Sequence, residues 1–66
     1  MPDFRDKSID EILIEMEAVI ENTREDARKF DNGVKAPASR IRKSLFVIKD
    51  MAHSLRKEIM ERKKDM

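Results

Sequence analysis

Arg42, Lys49, Arg56 and Lys63 recur every seven residues, with Lys43, Lys57 and Lys64 beside them. On an α-helix a seven-residue spacing returns to nearly the same side, so the four cations form one longitudinal stripe. A row of cations on a rigid helix suits a phosphate backbone: it neutralises charge and releases counterions without reading bases. The same stripe also suits pairing across helices, because Asp10, Glu11, Glu15, Glu17, Glu21, Glu25 and Asp26 occupy the first half of the chain. Both readings stay open on pattern alone.

Catalytic chemistry finds no comparable foothold. His53 is the sole histidine, no cysteine is present, and no serine–base arrangement surrounds it. Neither an H-E-x-x-H pair, a glycine-rich phosphate loop nor an Asp/Gly calcium loop occurs. Without cysteine, disulfides and thiolate zinc sites are excluded. The sequence therefore predicts a protein that is not an enzyme, with no cofactor, metal or small-molecule substrate. No apolar run reaches membrane-span length and no signal-peptide pattern opens the chain, so a cytoplasmic location away from the membrane is expected.

Charge is divided along the chain. Residues 1–33 sum to −5 and residues 34–66 to +6, and between Lys35 and Lys49 there are five basic residues and no acid. Such a split points to intramolecular pairing, to nucleic acid, or to both. The acidic start of the first helix is expected to neutralise the Arg56–Lys63 end of the stripe. The positive pole is then expected near the bend, at Lys35, Arg40, Arg42 and Lys43, helped by the helix dipole there.

Two helices must carry these side chains. Residues 1–7 show no periodicity and are expected to form a flexible N-terminus. Ser8-Ile9-Asp10-Glu11 is a capping box that starts helix 1, expected over about 8–31. Its apolar seam reads Ile9, Leu13, Met16, Ile20, Thr23, Ala27, Phe30. Gly33 suits the left-handed position beyond the helix end, and Pro37 suits the first turn of the next helix, leaving a turn over 32–36. Helix 2 is expected over about 37–64 with the seam Ala38, Ile41, Leu45, Ile48, Ala52, Leu55, Ile59. Residues 8–64 thus read as one all-α domain, an antiparallel two-helix hairpin.

Apolar residues are left over. Ile12, Val19, Phe46, Val47, Met51, His53 and Met60 lie off the seam and are the expected dimer interface. A chain of 66 residues buries little surface by itself, so two hairpins joining as a four-helix bundle is the expected remedy.

The segment G-V-K-A-P-A-S-R-I-R-K from Gly33 to Lys43, followed after twelve residues by Arg56-Lys57, resembles the N-terminal helical domain of the chlamydial-type bacterial linker-histone-like proteins, without their basic tail. The matching positions are Gly33, Lys35, Ala36, Arg40, Arg42, Lys43, Arg56 and Lys57, and the likeness spans roughly residues 8–62. The resemblance implies a small nucleoid-associated protein that binds duplex DNA without sequence specificity and in a salt-sensitive way, the helical domain serving as the oligomerising part. On that reading Lys35, Arg40, Arg42 and Lys43 are the primary DNA contacts, with Lys49, Arg56 and Lys57 secondary. The competing expectation is a helical dimerisation or adaptor module whose partner is a protein and whose basic stripe serves intrachain pairing.

Overall fold

The computed structural model describes residues 4–66. Among them are two α-helices, α1 (Ile9–Asp31) and α2 (Ala38–Lys64), packed against each other as a hairpin about 50 Å long. Ser8 sits in extended backbone and its Oγ accepts the Glu11 N–H at 3.0 Å, while the hydroxyl donates to the Glu11 carboxylate at 3.1 Å. That satisfies one of the donors a helix start leaves orphaned.

The far end of α1 closes with Gly33 at φ +94°, the left-handed region that a side chain rarely tolerates. The Gly33 N–H donates to the Phe30 carbonyl and the Val34 N–H to the Lys29 carbonyl, the paired bonds of a Schellman stop. The chain then turns, Pro37 is fully buried, and α2 begins with the Ile41 N–H bonded to the Pro37 carbonyl.

The core lies in the half of the hairpin away from the bend. Phe4, Ile12, Met51 and Leu55 are buried, and Ile9, Met16 and Val19 pack against them. Ile12 is completely enclosed, at 0% exposure. Towards the bend the contact between helices runs through Thr23, Ala27, Ile41, Ser44 and Ile48, all half-buried.

Each helix is rotated by a fraction of one residue from the expected seam: Ile9, Met16, Thr23, Ala27, Ile41, Ile48 and Leu55 keep their places, and the shift falls on the alternate positions. Ile12 takes the place forecast for Leu13, and Met51 that forecast for Ala52. Leu13, Ile20, Phe30, Leu45 and Ile59 are exposed instead, Leu45 by 54%. Ile12, Val19 and Met51, expected to meet a second copy, belong to the hairpin's own core and have little surface left to offer one. Phe46, Val47, His53 and Met60 do stay exposed.

Three long-range contacts account for the turn. Phe4 is buried at 5% exposure, although residues 1–7 were expected to be flexible; residues 1–3 lie outside the described part. Arg62 holds this segment from α2: it donates to the Phe4 carbonyl at 2.9 Å and the Lys7 carbonyl at 2.6 Å, and bonds Glu58 at 3.1 Å. Lys7 in turn pairs with Glu15. Near the bend Arg40 grips Asp26 across the helices. By helical spacing Glu15, Asp26, Arg40 and Glu58 all lie to one side of the seam, so that side is closed by polar ties and by the N-terminal segment. The other side is left open.

Candidate nucleic-acid interface

The bend and the outward face of α2 hold the cations singled out by spacing, and the structure divides them into two groups. Arg40 is engaged: its Nε and Nη2 bond both oxygens of Asp26 at 3.1–3.3 Å. Asp26 is held below the ordinary aspartate range, first by that hydrogen bond and against some desolvation, then by the charges of Arg40 and Lys29. Arg40 is correspondingly raised by the bond and charge of Asp26. The pair offsets the Arg40 charge, so a phosphate gains less there than at an unpaired cation, although Nη1 makes no hydrogen bond among the described residues.

Lys35, Arg42, Lys43, Arg56 and Lys57 are exposed, and among the described residues none of them forms an ion pair. Lys49 is exposed too, with its ammonium 5.9 Å from the centre of the Phe46 ring. Two shallow depressions follow this face: Ser39, Arg42, Lys43 and Phe46 line one, and Lys49, Asp50, Ala52, His53 and Arg56 the other. Together they make a cationic track along α2 with apolar side chains set between the charges.

The expected distribution of pairing is reversed. The acidic start of α1 was expected to neutralise Arg56 and Lys63. Among the described residues the salt bridge that joins α1 to α2 is instead Asp26–Arg40, near the bend. The remaining pairs are local, Glu21–Arg24, Glu58–Arg62 and Glu61–Lys64 within a helix, and Lys7–Glu15 from the N-terminal segment. The stripe thus keeps its charge along its length: among the described residues Arg42, Lys49, Arg56 and Lys63 form no salt bridge.

Arg28 and Lys29 join the group although spacing on α2 could not single them out. Both are exposed, and among the described residues neither forms an ion pair. They stand in the last turn of α1, where the helix dipole favours cations, within reach of the bend that carries Lys35. The start of α2 adds to the same pole: it has no side-chain cap and no acid in its first turn, although the Ala38 N–H donates to the Lys35 carbonyl.

Among the described residues no group of three His, Asp or Glu side chains could hold a metal ion, and no helix is long and apolar enough to cross a membrane.

Neither the curated proteins nor the solved structures compared with the chain give a match. The profile of the family described as Histone H1-like protein Hc1 matches residues 10–65, which takes in both helices and the bend. That is a family of histone-like proteins, not one of enzymes. The match extends over most of the chain and includes the cationic face just described, so the chain belongs to the Histone H1-like protein Hc1 family.

Proposed function

We propose that this protein is a nucleoid-associated, histone-like DNA-binding protein that acts as a dimer and grips duplex DNA without reading its sequence. The observation that carries this reading is the set of exposed cations at the bend and along α2 that form no ion pair among the described residues: Arg28, Lys29, Lys35, Arg42, Lys43, Lys49, Arg56 and Lys57. Membership of a histone H1-like family supports it. The side chains are lysines and arginines on a convex helical surface, which can reach phosphates along a duplex. Lysine and arginine contacts to phosphates position a protein on a duplex and carry no sequence information.

Arg40 leaves the contact set on this reading, and Arg28 and Lys29 enter it. Dimerisation is supported by the apolar surface the hairpin leaves uncovered along one side, Leu13, Ile20, Leu45 and Ile59. Burying a side chain of that size is worth roughly 1.5–3 kcal/mol, a gain that a lone hairpin forgoes.

Duplexes of unrelated sequence should bind with similar affinity at low salt. If about five phosphates are neutralised per dimer, log K should fall against log[salt] with a slope of about −4 to −5. Fluorescence anisotropy with labelled duplexes measures this. No binding at low ionic strength, or a slope near zero, rejects the proposal in favour of a protein-binding helical module.

A further inference from the structure

Along the open side of the hairpin three apolar depressions follow one another. Ile9 and Ile59 line the first with Arg62, Lys63 and Met66; Ile20, Ala27, Leu45 and Ile48 line the second; Phe30, Ala38 and Ile41 line the third. The band thus runs from the free ends to the bend, between the two helices. Its residues repeat by heptads, Leu13-Ile20-Ala27 on α1 and Leu45-Ala52-Ile59 on α2. Running antiparallel, the two rows set the small residue of each helix near branched residues of the other, which is the shape that interdigitating helices need.

The charges beside this band differ on its two edges. By helical spacing Asp10, Glu17 and Glu21 border it on α1, with Arg24 following towards the bend, and Arg42, Lys49, Arg56 and Lys63 border it on α2. Two copies meeting face to face can be related by a two-fold axis along the helices or by one across them. The axis across the helices sets α2 on α2 and brings the two cationic edges together. The axis along the helices sets α1 of each copy on α2 of the other. Asp10 then comes level with Arg56, and Glu17 and Glu21 with Lys49. Like charges opposed across an interface are costly and opposite charges fix its register.

Resting on the proposal that the protein is a dimer, we infer that the second copy docks on the Leu13–Ile20–Leu45–Ile59 face with the two-fold axis along the helices, so that both bends lie at the same pole of a four-helix bundle. Arg28, Lys29, Lys35 and Lys43 are doubled at that pole, with Arg24 and Arg28 of one copy beside Arg42 of the other. These like charges are left for a polyanion to neutralise, so DNA binding and dimerisation favour each other through one pole. A dimer with bends at opposite ends would instead hold two duplexes about 50 Å apart.

The chain has no cysteine, so a nitroxide on Ala36→Cys, an exposed loop position, reports one distance per dimer. Pulsed electron paramagnetic resonance should give a separation on the order of 20–30 Å, set by neighbouring helices about 10 Å apart. Sedimentation accompanies it: Leu45→Asp should halve the mass, and Phe46→Asp should leave it unchanged. A labelled dimer with separation near 50 Å overturns the axis while leaving the dimer standing. Loss of the dimer with Phe46→Asp but not Leu45→Asp overturns the face. A wild-type monomer at all concentrations overturns the dimer proposal itself.

Discussion

Arg40 and Asp26 form a two-pronged bridge across the helices, with guanidinium–carboxylate distances of 3.1–3.3 Å, one helical turn or so from the bend. Sequence spacing places Arg40 among the DNA contacts, but this geometry commits it to holding the helices together. Replacing Asp26 by asparagine should release it. Asp26→Asn is expected to raise low-salt affinity for duplex DNA and to steepen the salt slope by about 1.8 per dimer, one further phosphate contact from each copy. Arg40→Ala, by contrast, should change the slope by less than Lys43→Ala does. Parallel anisotropy titrations of the three variants check this.

The same bridge sets an acid limit. The Arg40 hydrogen bond depresses the Asp26 pKa on folding. Its contribution is therefore fully present above the ordinary aspartate range and is lost as pH falls through the depressed value. Thermal unfolding should show wild type ahead of Asp26→Asn at neutral pH, with the gap closing in acid. A gap that persists at low pH would show that the side chain acts by something other than its charge.

Phe4 closes one end of the core and Arg62 keeps it there. Phe4→Ala should cost about 3 kcal/mol or more by emptying a buried aromatic site. Arg62→Lys should not substitute for arginine, since an ammonium lacks the planar fork that reaches the Phe4 and Lys7 carbonyls together with Glu58. Denaturant titrations followed by far-ultraviolet circular dichroism test both. Amide exchange at residues 5–8 should accelerate in Arg62→Lys.

Ser54 is buried in α2 and its hydroxyl has no partner among the described residues. An unsatisfied buried hydroxyl costs about 1–3 kcal/mol. Ser54→Ala should thus be stabilising, with Tm up by about 4–8 °C for each kcal/mol recovered in a domain of this size. A fall in Tm would mean that the hydroxyl is satisfied in solution.

The hairpin was legible because its punctuation is local. Ser8 with Glu11, Gly33 and Pro37 each act within a few residues, and each does in the structure what its chemistry demands. The facing of the helices was not legible. Ile12 and Leu13, and again Val19 and Ile20, are adjacent apolar pairs, so a 3.5-residue repeat fits seams through either member equally well. The choice between them is made by Phe4, Arg62 and the Asp26–Arg40 bridge, contacts separated by 14 to 58 positions that periodicity cannot see. That partial rotation carried Ile12, Val19 and Met51 into the core and turned Leu13, Ile20, Leu45 and Ile59 outward, while Ile9, Met16, Ile48 and Leu55 kept their places. For the candidate site, spacing found the stripe on α2, whereas the engagement of Arg40 depended on which carboxylate lay across from it.

The most direct test of the account is the salt dependence of duplex-DNA binding by the variant Lys35→Ala, Arg42→Ala, Lys43→Ala beside wild type, with helix content checked by circular dichroism. These three side chains are exposed and among the described residues form no ion pair, so the fold should survive their loss. The account predicts a slope shallower by about 2 to 3 and a matching loss of low-salt affinity. An unchanged slope at full helix content would contradict it.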